Sequence, residues 1–328
     1  MTFLNHLKTG LAGLVLATAM ALPLTPALAA NIKFGTPTPP PHIFTKAAER
    51  FAEIVAADKS LDLSVKVFPS NRLGDVPTTL SLLQSGAAQF TLVPVGALAQ
   101  RNDAFYGWFL PYMFPSLKEA GAAAALPEAR QMLTLLEEQG LVGMAYIFPG
   151  QRHLLSKTAI SNPADLKGLK VRAFPNDIFH AWWSAVGAAP TALPLPQIMP
   201  SLVTGVIDAV DVDVDIVIGL KMHKQAKHLI LTNHMAFPGA VLISKVWWDK
   251  LDAAKQKRIS KIWSQVEAWA LETQIANEAA IISKLEADGA EVNRINANVF
   301  APFAKAISDE FIARDPAIAA FAAAVAKQ

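Results

Sequence analysis

Apolar residues recur along this chain in two rhythms. Leu61, Leu63, Val65 and Val67 fall two apart, the period of a half-buried strand. Ala48, Phe51, Ile54 and Val55 fall three and four apart, the period of a helix. Between residues 31 and 95 these rhythms alternate. A strand at 31–36 leads through a Pro-rich turn at 37–41 into a helix that Thr45 can cap, and a strand follows at 61–67. Asp75 and Pro77 open the next helix, Gly86 stops it, and 90–95 reads as a buried strand. A β-α-β-α-β order predicts a parallel sheet with crossover helices, whose ligand crevice lies beyond the strands' carboxyl ends. Pro94, ending the third strand, should look into that crevice.

The same grammar returns after residue 140. Residues 141–148 read as a strand, with the Arg152 segment as its continuation. Asn162 to Gly168 is a helical turn, and 169–174 is a short strand closed by Pro175. Asn176 caps a helix at 177–186, which Gly187 ends. Pro196 suits the start of a helix at 197–204, Pro200 should kink or shorten it, and 206–212 is a strand. From Trp247 to about Asp288 a helical pattern runs without Gly or Pro. At ~1.5 Å per residue it would reach ~60 Å, too long for one lobe, so it is expected to bridge two.

Composition narrows the class. Lys8, the apolar run 11–24 and Ala27-Leu28-Ala29 have the form of a secretory signal peptide, so residues 1–29 are expected to be removed and the remainder exported. Without Lys8 the 29 basic residues become 28, against 27 acidic ones, a near-neutral balance that argues against nucleic acid or an anionic membrane surface as the main partner. The absence of cysteine excludes disulfides and thiol chemistry. A chain of this length, 52% apolar, exceeds what one core usually serves, so two lobes are expected.

Motifs for catalysis and metal binding are missing. The chain holds no G-x-S-x-G, no H-E-x-x-H and no phosphate-cradling G-x-x-x-x-G-K-[ST]. His223 and His228 are five apart, off a shared helix face. Asp208, Asp211, Asp213 and Asp215 resemble a calcium loop only superficially, lacking the turn glycine and closing glutamate. A solvated or hinge-side strand is the expected setting for Asp211, Asp213 and Asp215. Neither a cofactor nor a metal is expected. Trp182 and Trp183, adjacent on one helix, point to core packing for at least one of them.

What remains is a pair of arginines twenty residues apart, Arg152 and Arg172. Alternation puts Lys170, Arg172 and Phe174 on one strand face, and an aromatic beside an arginine at a strand's carboxyl end suggests a crevice. A guanidinium buried there needs an anion, and its fork matches a carboxylate bidentately, as lysine cannot. An internal pair with Asp or Glu, or a solvated strand end, is the competing reading.

The order of several stretches then becomes specific. Phe51-Ala52-Glu53-Ile54-Val55, Val67-Phe68-Pro69-Ser70-Asn71-Arg72-Leu73-Gly74, Leu166-Lys167-Gly168-Leu169-Lys170-Val171-Arg172, Val186-Gly187-Ala188-Ala189-Pro190, Thr204-Gly205-Val206-Ile207-Asp208, Leu231-Thr232-Asn233-His234 and Leu242-Ile243-Ser244-Lys245 follow one another as in a known family. The mature chain resembles the DctP-type substrate-binding proteins of tripartite ATP-independent periplasmic (TRAP) transporters. The resemblance implies an α/β fold of two lobes, a long hinge-spanning helix, and closure around an organic acid. It implies a monomeric periplasmic protein that works with the small and large integral membrane subunits of a transporter, and no enzyme activity. Lobe I is expected at 30–149 and 238–277, lobe II at 150–237 and 278–328. The family's carboxylate-binding arginine maps onto Arg172, and a second arginine found in its sugar-acid branch maps onto Arg152, expected to be partly wet at the mouth of its strand.

Departures from the family matter as much. Where it usually reads Gly-Gln-Glu-Asn, this chain has Ala209-Val210-Asp211-Val212, so Val212 replaces an asparagine that assists the carboxylate. Pro94 stands where sugar-acid binders carry glutamate, Pro37 replaces a polar residue, and Leu195 replaces a pocket aromatic. Polyhydroxylated ligands need many satisfied hydrogen bonds, which these side chains do not provide. The expected ligand is a monocarboxylate with an apolar or aromatic body, or a 2-oxo or 2-hydroxy acid, held by Arg172, Arg152, Val212, Pro94, Leu195, Phe174, Pro37 and Asp211. A sensory subunit of a signalling system would use the same clamp. An exported α/β hydrolase would need a nucleophile with its base, and the sequence offers no such constellation.

Overall fold

The computed structural model describes residues 30–328, so the expected signal peptide lies outside the described residues. Eleven strands follow in chain order: β1 (Ala30–Gly35), β2 (Leu63–Phe68), β3 (Phe90–Pro94), β4 (Leu141–Ile147), β5 (His153–Ser156), β6 (Lys170–Ala173), β7 (Ala189–Ala192), β8 (Ala209–Val212), β9 (His228–Leu231), β10 (Gly239–Ser244) and β11 (Glu291–Arg294). They form two sheets, one in the order β2-β1-β3-β10-β4 and the other β11-β9-β5-β8-β6-β7. In each sheet one strand that has just crossed from the other lobe runs against its neighbours: β10 is antiparallel to β3 and β4, and β5 to β8 and β9. The fold is the two-lobed α/β architecture that the resemblance implies.

The first sheet is packed by the helix Ile43–Ala57, which buries Ile43, Phe44, Ala47, Ala48, Phe51 and Val55 along one stripe. Phe51 stacks on Trp263 with ring centroids 4.5 Å apart, and Phe34 and Phe90 complete the aromatic cluster. Trp263 belongs to the long helix Ala253–Ala287, whose 35 residues span about 52 Å. Its first half buries Ile259, Ile262, Trp263 and Val266 against the first sheet, and Leu285 near its end joins the core of the second lobe. The helix therefore bridges both, but it starts later than the hydrophobic pattern predicts. Asp252 accepts a hydrogen bond from Lys255 N at 2.8 Å and opens it afresh, separating it from the short turn Lys245–Trp248.

Four local expectations are corrected. The first helix begins at Ile43 with His42 as its cap. Thr45 lies inside, its hydroxyl donating to Thr38 O at 3.0 Å. The Arg152 segment does not continue β4. Pro149 and Gly150, the latter at φ +131°, end that strand, and the chain crosses into the other sheet to start β5. The helix Leu195–Thr204 keeps ten residues with Pro200 inside it. Finally, 278–328 does not stay with the second sheet. β11 pairs with β9, but the last helix, Pro316–Val325, lies on residues 103–109 and 127–134 beside the first sheet, placing Phe321 against Trp108.

Removing the central ring of the aromatic cluster tests this packing. Trp263→Ala should cost about 3–5 kcal/mol of unfolding free energy, the range for deleting a large buried aromatic. Urea denaturation reads it as a lowered midpoint. A loss below 1 kcal/mol would mean that the long helix does not depend on this stack.

Candidate functional site

Between the lobes lies a cavity of about 790 Å³. From the first lobe its walls include Pro37, Thr38, His42, Phe44, Leu80 and Pro94; from the second come Arg152, Arg172, Phe174, Leu195, Val212 and Asp213, with Phe237 from the returning crossover. Seven of the eight residues singled out in the sequence meet on this cavity. The eighth, Asp211, stands behind the wall, fully buried.

The two arginines differ. Arg152, 2% exposed, is not the wet mouth residue expected. Its Nε donates to an Asp211 carboxylate oxygen, its Nη2 to the Asp211 backbone carbonyl, and its Nη1 to Asp213 Oδ2 at 3.1 Å. The ring of Phe237 lies 4.2 Å beneath the guanidinium. Arg172, 4% exposed, donates its Nε to Leu193 O at 2.9 Å and its Nη1 to the Asp211 carbonyl at 3.2 Å. It has no carboxylate partner among the described residues. Burial, with Arg152 beside it, pulls the Arg172 guanidinium down to about 9, the mark of a cation short of counter-charge. The competing sequence reading, an internal ion pair, thus fits Arg152 and not Arg172.

The aspartates are not solvated. Asp211 Oδ2 accepts from Trp183 Nε1 at 2.7 Å and lies 3.0 Å from His234 Nε2, while His234 Nδ1 meets the Thr232 hydroxyl at 2.8 Å. Burial opposes its charge, yet Arg152 and His234 hold the Asp211 carboxyl below the usual range. For Asp213 burial is likewise outweighed, by His42 and Arg152. Burial raises Asp215, with Asp213 adding to the effect. Trp182 and Trp183 are both buried, the first stacked on His234.

Contacts also cross the cleft. Asp215 Oδ2 accepts from Ile43 N at 3.1 Å, at the first turn of the opposite lobe's helix. On the other rim Asn176 Nδ2 donates to Gly96 O at 3.2 Å and Gln100 Nε2 to Pro175 O. A Cβ on Gly96 would come within 2.8 Å of Phe174, so glycine permits the lobes to meet there. These contacts join the two lobes across the cleft. Sequence reasoning missed His42, Asp213 and Phe237. The apolar spacing around His42 and Phe237 carried no signal for a cavity, and Asp213 read as part of a strand although Ile216 N donates to it at 3.0 Å as a helix cap.

Asp211→Asn should leave Arg152 without its main counter-charge and cost about 3–5 kcal/mol at pH 7. Because the folded Asp211 titrates below its unfolded value, its stabilisation is present above the ordinary carboxylate range and is lost as pH falls through the folded value. The stability gap between variant and wild type should therefore narrow once the pH drops below about 4. Urea titrations at pH 7 and pH 3 check this, and an unchanged gap would contradict it.

Comparison with known proteins agrees with this geometry. A family model described as bacterial extracellular solute-binding protein, family 7 (DctP) matches residues 34–313. The chain is 29% identical over 296 residues to the C4-dicarboxylate-binding periplasmic protein DctP of Rhodobacter capsulatus, covering 88% of each. A TRAP periplasmic solute-binding protein from Xanthobacter autotrophicus Py2, solved with bound β-D-galacturonate, superposes with a TM-score of 0.84 at 25% identity, over 90% of this chain and 98% of that one. Another from Shewanella oneidensis, solved with bound succinate, shares the fold with a TM-score of 0.85 at 20% identity, over 90% of this chain and 99% of that one. The chain belongs to the DctP-type substrate-binding proteins of TRAP transporters, bacterial extracellular solute-binding protein family 7.

Proposed function

We propose that this TRAP substrate-binding protein captures a monocarboxylate with an apolar or aromatic body, the 2-oxo and 2-hydroxy acids included, and presents it in the periplasm to the small and large membrane subunits of its transporter. As a transport component it performs no chemistry on the ligand. One observation carries the reading: Arg172 is a buried guanidinium without a counter-ion among the described residues, on the floor of a cavity whose walls are largely apolar. Leaving such a fork unpaired is costly, and a ligand carboxylate relieves the cost. Pro37, Phe44, Leu80, Pro94, Phe174, Leu195 and Val212 then receive an apolar body and offer a sugar acid's hydroxyls no side-chain partner. The volume, toward the upper part of the ~300–1,000 Å³ range of ligand pockets, suits a body larger than a four-carbon diacid. Arg101, at the mouth, is exposed and donates to Gln139 Oε1 at 3.2 Å, so no second buried anion site is built there.

On refolded, ligand-free protein, aliphatic and aromatic monocarboxylates should raise the melting temperature, a ligand at ~100 Kd adding ~2.7 kcal/mol, while sialate leaves it unchanged. Arg172→Ala should weaken binding by about 30- to 5,000-fold in titration calorimetry. Arg172→Lys should stay impaired because it keeps the charge but loses the fork. Wild-type affinity in a folded Arg172→Ala protein, or a shift with sialate alone, would refute the reading.

A further inference from the structure

We infer that His42 is a specificity-determining residue: its Nε2–H, contributed by the first lobe, reads an oxygen on the carbon next to the ligand carboxylate, so that 2-oxo and 2-hydroxy acids are preferred over their plain counterparts. This rests on the preceding reading of the cavity. His42 is 1% exposed and lines the cavity. Its Nδ1 accepts from Phe44 N at 3.1 Å, which fixes the neutral tautomer with the proton on Nε2. The ring of Phe44 holds the imidazole edge-on at 4.8 Å, and Pro39-Pro40-Pro41 precede it, so the orientation is set from both sides. Asp213 Oδ1 faces that Nε2 at 3.6 Å, longer than a good hydrogen bond. The donor is thus buried and only weakly engaged.

It also stands in line with the arginines. Asp213 lies between His42 and Arg152, and Arg152 and Arg172 donate to the same backbone carbonyl of Asp211. Of its five N–H groups Arg172 keeps both on Nη2 and one on Nη1 unused, while Arg152, whose Nε and Nη2 both meet the Asp211 carboxylate, keeps only one on Nη1. With His42 these donors outnumber the ~4 acceptor sites of a single carboxylate. A second oxygen adjacent to the carboxylate uses the surplus, and because its donor comes from the opposite lobe, that contact forms only when the cleft is shut.

The test pairs ligands with variants by titration calorimetry. The ligands are 4-methyl-2-oxopentanoate against 4-methylpentanoate, and phenylpyruvate against 3-phenylpropanoate. The variant is His42→Asn, which retains a helix-capping side chain but no donor at that reach. His42→Ser, which also keeps a capping oxygen and has no donor at that reach, serves as a second variant should the first fail to fold. Wild type should bind each 2-oxo acid about 10- to 100-fold more tightly than its plain partner, the range of one or two hydrogen bonds to such a group. In the variant that preference should vanish, 2-oxo affinity falling about 10- to 100-fold more than plain-acid affinity. Equal affinity of wild type for both members of a pair, or an equal loss for both in the variant, would overturn the role of His42 while leaving the monocarboxylate reading intact. Absence of binding by any of the four acids would overturn the reading itself and this inference with it.

Discussion

The buried contact between Arg152 and the two aspartates, Asp211 and Asp213, organises the cleft. Arg152 sits on the chain's first crossing between lobes, where Pro149 and Gly150 have ended β4. The aspartates stand at the end of β8 and at the cap of the following helix. One side chain thereby ties the crossover to the centre of the second sheet. The second crossover, 232–238, is bound into the same knot, since Arg152 N donates to Met235 O at 2.7 Å and His234 meets Asp211. A buried ion pair of this kind contributes little net stability against a hydrophobic replacement, but loss of one partner strands the others. Its value here is geometric: it holds a polar floor at the junction of the two lobes.

That floor explains why two arginines side by side play different parts. Arg152 is consumed by structure, and Arg172 is placed beside it where the nearest carboxylate is already taken. Burial and the neighbouring cation leave Arg172 short of negative charge, while its fixed bonds to Leu193 O and Asp211 O leave the cavity side of the fork open. On the proposed reading the ligand's carboxylate supplies that charge. Across the cleft Asp215 reaches Ile43 N at the start of the opposite helix, so lobe contact and ligand contact share one small region.

The fold was legible because strand and helix periods alternate clearly in the first 95 residues and because resemblance over dispersed motifs fixed the topology of the rest. The boundaries that failed did so for local reasons. Thr45 has the chemistry of a cap but is drawn inside by Thr36 and Thr38, leaving His42 to serve. β7 carries Pro190, which reads as a strand breaker, and survives because it is an edge strand. At the site, Arg172, Phe174 and the aliphatic positions could be found by alternation and by comparison of types. The role of Asp211 and Asp213 could not, because an acidic residue every second position looks the same whether it faces water or a guanidinium from a segment some sixty residues away. Only the three-dimensional crossing of the chain decides between them.

The charges on the floor bear on the kind of anion that the proposed reading calls for. Two guanidiniums face two carboxylates that stay ionised, and Asp215 is shifted toward its protonated form by burial. Both of those carboxylates are bonded to Arg152, and Arg172 has none among the described residues. The region keeps open hydrogen-bond donors on Arg172 beneath a largely apolar wall. Selection by unsatisfied donors depends on shape and direction, whereas selection by net charge would be screened and indifferent to the ligand's body. On the proposed reading a second carboxylate set against Pro37, Pro94, Leu195 or Phe174 would lose its hydration without gaining a partner. On the same reading the apolar part of the wall buries an aliphatic or aromatic body at roughly 25 cal/mol per Å², which favours a monocarboxylate carrying such a body.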